Sequence, residues 1–257
     1  MIDFGLAGAV VAITGGGSGI GRAIAEAAGA HGLTVAVLDR DEQAAAEVAA
    51  ALPAGAAFGL EVRDPVATDA VFDRVEAELG PLHGAVTCAG VSLPGPAEEL
   101  SYDRWATVLD VNLTGTFLSL QAAGRRLLPR RSGALVAVGS VDSFGGHAQR
   151  ANYASSKFGI AGLVRSMAID WGPAGVRVNG IAPGAVDTPL LRRNLPDAVI
   201  RETMLVRTPL GRLSTGADQA GAALFLLSPA AAYVTGVMLP VDGGATAGYY
   251  TNVEVGP

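Results

Sequence analysis

Seven short apolar runs punctuate the chain, at residues 9–13, 33–38, 56–60, 84–88, 134–138, 176–181 and 236–241, and a stretch long enough for a helix separates each from the next. Strands spaced this far apart do not close as hairpins; they pair in parallel through helical crossovers. The alternation predicts an α/β fold, a doubly wound parallel sheet of about seven strands with helices on both faces. Composition enters at one point: 50% hydrophobic against 16% charged residues suits strands buried on both sides. Helices are expected over 22–30, 41–52, 65–79, 102–128, 152–171 and 217–227. No linker, repeat or low-complexity stretch interrupts them, so residues 1–257 read as a single domain. Residues 185–215 stand apart, with several prolines and arginines and little periodicity beyond a short helix near 196–205, and read as a flexible substrate flap.

Several function classes drop out. A formal net charge of −6 without a basic tract argues against a nucleic-acid surface. Cys88 is the only cysteine, which excludes an intramolecular disulfide and any multi-cysteine zinc site. His31, His83 and His147 show no paired metal-ligand spacing, so no metal is expected. The first residues lack a basic region followed by an apolar signal core, and the apolar runs are too short to span a bilayer. The expectation is a cytoplasmic protein with no membrane partner.

Between the first strand and the first helix lies Thr14-Gly-Gly-Gly-Ser-Gly-Ile-Gly21. Strand, glycine turn and helix in that order form a phosphate cradle. Gly15, Gly19 and Gly21 let the backbone approach a pyrophosphate, and Gly17, Ser18 and Ile20 complete a turn that opens onto the helix amino terminus with its unpaired N–H groups. Asp39, 18 residues beyond Gly21, ends the second strand. Its carboxylate accepts hydrogen bonds from ribose hydroxyls and repels a 2′-phosphate, which favours NAD over NADP. Arg40 is the counterweight, since a guanidinium pairs with phosphate; Ser18 adds no charge.

Tyr153 and Lys157 stand four apart on an expected helix, so their side chains share a face. A phenol with a reference pKa of about 10 needs a shift of about three units, roughly 4 kcal/mol, to exchange protons near neutrality. One ammonium about 4.5 Å away at an effective dielectric of about 20 supplies roughly that much. Ser140, thirteen residues before Tyr153, ends the fifth apolar run and so falls at a strand carboxyl end, where ligands bind in such sheets.

With these residues placed, the chain resembles the short-chain dehydrogenase/reductase family, a branch of the Rossmann folds, over about residues 7–244. The motifs that carry the resemblance are the glycine turn, Cys88-Ala89-Gly90, Asn112, Ser140, Tyr153-x-x-x-Lys157, Asn179, Pro183-Gly184 and Asp242-Gly-Gly244. It implies that Tyr153 is the acid/base, that Lys157 lowers its pKa and holds the nicotinamide ribose, that Ser140 orients the substrate oxygen, and that Asn112 supports a proton relay behind Lys157. It also implies that Pro183, Gly184 and Val186 pass along the nicotinamide with Thr188 near its carboxamide, and that the protein is a homotetramer. Two departures stand out. Thr87-Cys88 replaces the usual Asn-Asn, which alters side-chain bonds while leaving Cys88, Ala89 and Gly90 as backbone contacts. Glu61-Val62 replaces Asp-Val, which moves the carboxylate expected at the adenine amino group one methylene outward.

The expected reaction is interconversion of a secondary alcohol and a ketone by hydride transfer to or from the nicotinamide cofactor, without metal. Val141, Asp142, His147, Gln149, Leu190 and Leu191 are the candidates for the substrate pocket, a mixture that suits a small hydroxylated or cyclic alcohol. A second reading is an NADPH-dependent 3-oxoacyl-carrier ketone reductase, with Arg125, Arg126, Arg130 and Arg131 docking an acidic carrier. From another class comes a nucleotide-binding regulator without catalysis, which intact Ser140, Tyr153, Lys157 and Asn112 oppose.

Overall fold

The computed structural model describes residues 3–248. Its strands are β1 (Val10–Thr14), β2 (Thr34–Asp39), β3 (Gly55–Gly59), β4 (Leu82–Thr87), β5 (Gly133–Val138), β6 (Val176–Pro183) and β7 (Met238–Val241). They form one sheet, ordered β3-β2-β1-β4-β5-β6-β7, with every pair parallel. The helices are α1 (Gly19–Ala30), α2 (Glu42–Ala50), α3 (Pro65–Leu79), α4 (Tyr102–Leu109), α5 (Gly115–Leu127), α6 (Ala151–Trp171), α7 (Pro189–Asn194), α8 (Asp197–Val199) and α9 (Gly216–Leu227).

Local chemistry sets the element ends. β1 is Val-Val-Ala-Ile-Thr, buried at all five positions, as a central strand with helices on both sides requires. Asp64 caps α3 by accepting from Val66 and Ala67 N–H at 2.9 and 3.0 Å, and Pro65 takes the first helical position, where a missing N–H costs nothing. Two apolar layers result. Leu120, Leu127, Leu135 and Ile160 lie on the face covered by α3, α5 and α6, while Ile13, Ile24, Val37 and Leu224 lie on the face covered by α1, α2 and α9. The chain winds from β1 outward to β3 and then restarts at β4 on the other side of β1. The carboxyl ends of β1 and β4 therefore flank the switch in strand order, where a crevice opens.

Two expectations change. The helix expected over 102–128 is interrupted by a π turn, Asp110–Thr114, with Asn112 inside it. Inside this turn, which is wider than an α-helix, the Asn112 amide is bonded to the loop after β4 and to α6. The second change concerns residues 185–215, which carry more regular structure than their sequence pattern suggests. Thr188 caps α7, with Pro189 at its first position, and α8 runs on through a π turn (Ile200–Met204) and a 3-10 turn (Leu205–Arg207). The segment is pinned at its base, where Asp187 N–H donates to Ser214 O and Ser214 N–H to Ala185 O, both at 2.9 Å. Among the described residues no helix is long and apolar enough to cross a membrane.

Candidate active site

The glycine turn is built from close backbone approaches. Gly15 has φ +65°, and a Cβ there would stand 2.7 Å from the Ala89 nitrogen; a Cβ on Gly21 would overlap the Gly15 carbonyl oxygen. These two glycines press the turn against the end of β4 and α1 against the turn. Gly17 works from behind: its N–H donates to Asp39 Oδ2 at 3.0 Å, while Asp39 Oδ1 accepts from Asp41 N–H at 3.1 Å. The Asp39 carboxylate is thus aimed by the turn and by the start of α2.

A cleft of about 240 Å³ lies against this turn. It is lined by Gly15, Ser18, Gly19 and Ile20 of the turn, Asp39 and Arg40 at the end of β2, Glu61 and Val62 after β3, Cys88, Ala89 and Gly90 after β4, and Thr188. Sequence reasoning missed Leu60, Val91, Val111, Pro189 and Arg193, which complete the lining. Leu60 and Pro189 were within reach, as neighbours of residues already singled out. Leu190, expected in the substrate pocket, lines this cleft instead because α7 lays it beside Thr188. Gly17, Gly21, Asn112, Tyr153, Lys157, Pro183, Gly184 and Val186, also expected at the cofactor, do not line it. Val186 is buried and bridges to Ser214, and Gly184 packs so closely on Asp242 that a Cβ would stand 2.9 Å from its Cα.

The lining fits a dinucleotide. Ser18 caps α1 without a side-chain bond, and no acidic residue occupies the first turn, so N–H donors and the helix dipole meet an anion unopposed. Apolar Leu60, Val62 and Val111 suit a base, and the Asp39 carboxylate suits ribose hydroxyls. Glu61 reaches the cleft already paired with Arg63, at 3.0 and 2.8 Å, and that pairing holds its carboxyl below the usual range. The adenine contact expected of it competes with this pair.

Beside the cleft, close to Cys88, Ser140, Tyr153 and Lys157 converge beyond the end of β5. Ser140 caps the 3-10 turn Val141–Ser143, and its Oγ accepts from Asp142 N–H at 3.1 Å. Ser143 Oγ donates to Lys157 O at 2.8 Å, and Lys157 Nζ donates to Val138 O at 2.9 Å. Both bonds tie the end of β5 to α6, so the spacing of Ser140 from Tyr153 is set by buried hydrogen bonds. The Lys157 ammonium stands 5.5 Å from the Tyr153 ring centre and the Arg150 guanidinium 5.8 Å.

The electrostatics correct one expectation. Burial pushes the Tyr153 phenol up to about 12, helped by the negative charge of Asp142 and opposed by a hydrogen bond with Ser140 and by Arg150. Burial also brings the Lys157 ammonium down to about 8. Lys157 alone does not bring the phenol toward neutrality: its proton is directed to a backbone carbonyl, and desolvation outweighs its charge. Burial likewise pushes the Cys88 thiol up to about 12, which favours the neutral thiol over the nucleophilic thiolate.

Asn112 is fully buried. Its Oδ1 accepts from Val91 N–H at 2.8 Å, and its Nδ2 donates to Val91 O at 3.0 Å and to Ser156 Oγ at 3.1 Å. Ser156 Oγ in turn donates to Tyr153 O at 2.7 Å. Its bonds therefore lead to the Tyr153 backbone rather than to the Lys157 ammonium. Of the substrate candidates, Asp142 and His147 are brought together as a pair. Asp142 is buried, His147 is half-exposed, and the carboxylate holds the imidazole pKa up. Val141 is partly buried beside them. Gln149, exposed with φ +61°, offers its carbonyl to Gly95 N–H at 2.9 Å, and Leu191 gives its N–H to Thr188 Oγ1.

The four arginines considered for carrier docking are engaged within the chain. Arg126 is bound to Asp69 and Asp73, Arg130 to Glu76, Arg131 to Pro173 O and Arg125 to Asp69.

A family model described as Enoyl-(Acyl carrier protein) reductase matches residues 15–246. The chain is 40% identical over 248 residues to D-threitol dehydrogenase from Mycolicibacterium smegmatis (strain ATCC 700084 / mc(2)155), covering 95% of each chain. It is 39% identical over 251 residues to galactitol 2-dehydrogenase (L-tagatose-forming) from Cereibacter sphaeroides, covering 95% of this chain and 97% of that one. A solved structure from Sinorhizobium meliloti 1021, described as a short-chain alcohol dehydrogenase, superimposes with a TM-score of 0.92 at 34% identity, over 96% of this chain and 100% of the other.

Proposed function

The chain belongs to the short-chain dehydrogenase/reductase family, and from that premise we propose that it is an NAD-dependent oxidoreductase interconverting a small secondary alcohol and its ketone. The observation that carries the reading is the pair of buried bonds, Ser143 Oγ to Lys157 O and Lys157 Nζ to Val138 O, which hold Ser140 and Tyr153 together beside a cleft suited to a dinucleotide.

A bound nicotinamide dinucleotide supplies the hydride acceptor for alcohol oxidation, or the donor for ketone reduction. The protein's own residues do the rest. In the oxidation direction the Tyr153 phenolate oxygen takes the hydroxyl proton, and in reduction the phenol returns it. Ser140 Oγ orients the substrate oxygen by hydrogen bonding, and Lys157 would hold the nicotinamide ribose. Asn112 acts at one remove, through Ser156, on the backbone that carries Tyr153. Asp39 supports NAD over NADP, while Arg40, which makes no ion pair among the described residues, is the group a 2′-phosphate would meet.

The polar Asp142–His147 pair beside Tyr153 and the dehydrogenases of threitol and galactitol among the relatives support a polyol or a hydroxylated cyclic alcohol as substrate. The family model's description favours an acyl-carrier substrate as a second reading, but the engaged arginines weigh against it. The same proposal takes residues 1–257 as one catalytic domain, of which 1–2 and 249–257 lie outside the described residues, working as a cytoplasmic homotetramer. Exposed Phe158 and Ile169 on α6 support a subunit contact. The test is a panel of polyols, cyclic alcohols, simple ketones and 3-oxoacyl thioesters, read at the reduced-nicotinamide absorbance with NAD and NADP in parallel. Turnover of a polyol with NAD is expected, and turnover confined to thioesters with NADPH overturns the reading.

A further inference from the structure

We propose that Arg150 is a positioning residue that holds the Tyr153 ring and stabilises the charge of its phenolate, sharing a task that the sequence motif gives to Lys157 alone. This rests on the reading of Tyr153 as the acid/base.

The guanidinium carbon of Arg150 lies 5.8 Å from the Tyr153 ring centre, nearly as close as the Lys157 ammonium at 5.5 Å. Both are within the range at which a cation is drawn to an aromatic ring. The two cations differ in their other bonds. Lys157 gives its ammonium to Val138 O inside the protein. Arg150 is anchored by the hydroxyl of Ser92, a buried residue on the loop after β4.

The backbone around Arg150 is fixed as well. Gln149 stands in the left-handed region at φ +61°, an unfavourable conformation for a non-glycine residue, and its carbonyl accepts from Gly95 N–H at 2.9 Å. Asn152 Nδ2 donates to Leu93 O at 3.0 Å. The turn into α6 is thus clamped to the 91–97 loop at three points, and Arg150 is held over the ring at its centre. The guanidinium itself is held by its bond to the buried Ser92 hydroxyl, on a backbone that the other two bonds fix.

The charged and titratable groups facing the phenol come from three elements. Asp142 and its partner His147 follow β5, Cys88 follows β4, and Arg150 and Lys157 belong to the start of α6; Arg207, from the 185–215 segment, acts on His147. Asp142 opposes a phenolate, and Arg150 favours one. A guanidinium keeps its charge at every working pH, whereas the Lys157 ammonium falls to about 8. Above that pH, Arg150 is the cation that persists beside the ring.

The test separates charge from anchorage in the full chain saturated with NAD. Arg150→Gln keeps a donor for Ser92 and removes the charge, while Arg150→Lys keeps the charge. Tyrosinate absorbance is read as the difference between each variant and the same variant carrying Tyr153→Phe. A unit charge about 6 Å away at an effective dielectric of about 20 moves a titration by up to about two pH units, and by about one where solvent shares the field. At one alkaline pH below the midpoint, Arg150→Gln is expected to show about tenfold less tyrosinate, and Arg150→Lys to recover most of it. The acid limb of kcat/KM for alcohol oxidation moves to higher pH by the same amount, with NAD affinity unchanged by calorimetry. A tyrosinate signal unaltered in Arg150→Gln, or lowered equally in Arg150→Lys, overturns the proposal. Should Arg150→Gln fail to fold, Ser92→Ala removes the anchor alone; less tyrosinate supports the proposal, and an unaltered signal overturns it. The titration needs no turnover, so a chain inactive on every alcohol defeats the functional reading without deciding this one.

Discussion

The proposed nucleotide end of the site, at the glycine turn, and the proposed substrate end, at Ser140, Tyr153 and Lys157, are held together by different kinds of bond. At the nucleotide end the contacts are made by glycine backbone: Gly15 packs on Ala89 at the end of β4, Gly21 packs on Gly15, and Gly17 N–H donates to the Asp39 carboxylate. At the substrate end they are side-chain bonds between distant segments, such as Ser143 to Lys157, Asn112 to Ser156 and Arg150 to Ser92. Backbone geometry tolerates no added atom, while side-chain chemistry is tuned by charge and burial. Substitutions at the two ends should therefore fail in different ways, the first in binding and stability, the second in rate and pH profile.

The sharpest break in that comparison is Tyr153→Phe. Removing the hydroxyl deletes the proton-transfer group and nothing from the nucleotide end, so kcat should fall by about 10³-fold or more, within or beyond the range for general acid–base groups, while NAD affinity by calorimetry stays within about twofold. Retained turnover would remove Tyr153 from its role. At the other end, Asp39→Asn keeps an acceptor for Gly17 N–H and removes the charge. The ratio of kcat/KM with NAD to that with NADP should fall by about 100-fold, because charged hydrogen bonds to the ribose are lost and repulsion of a 2′-phosphate is relieved. An unchanged ratio would show that Asp39 does not set cofactor choice.

How much of each end was legible in the chain follows from the same difference. The alternation of strands and helices, the glycine turn and Asp39 are written in local pattern, since a glycine run between strand and helix and an acid at a strand end are visible in a few consecutive residues. Asn112, Ser140, Tyr153 and Lys157 were legible as a motif, but their bonds were not. Helical periodicity hides one extra residue, so the π turn at Asp110–Thr114 passed as ordinary helix. The balance of charges around Tyr153 depends on burial and on Asp142, neither of which a four-residue spacing reports. Arg193 and Val111 join the cleft only when α7 and the π turn fold beside it. In the 185–215 segment a signal was present: Thr188-Pro189 is a helix cap followed by proline at the first position, the same device as Asp64-Pro65.

Gly21→Ala tests the rigidity of the nucleotide end. The added methyl would overlap the Gly15 carbonyl oxygen, and α1 must shift to admit it. Overpacking of this kind costs about 1–3 kcal/mol. The melting temperature should drop, and the NAD dissociation constant should rise by about tenfold, since the cradle and the helix move together. A variant with unchanged melting and unchanged affinity would mean that the turn adapts, and the contrast between a rigid and a tuned end would fail.

The smallest effect lies at the substrate end, in the His147–Asp142 pair. Asp142 holds the His147 imidazole above its ordinary pKa by hydrogen bonding, against the opposing effect of burial. A raised folded-state pKa means that the protonated imidazole is stabilised by folding. The contribution is therefore complete below the unfolded value of about 6.5 and is lost as pH rises through the folded value. Because His147 is half-exposed, with 45% of its side chain accessible, the gain is screened to less than about 1 kcal/mol. The melting temperature of the parent should exceed that of His147→Gln by a degree or two at pH about 5.5, and the gap should close by pH about 9. A gap that widens with pH would mean that the neutral imidazole is the form Asp142 holds, and the substrate end would then be tuned by hydrogen-bond geometry rather than by charge.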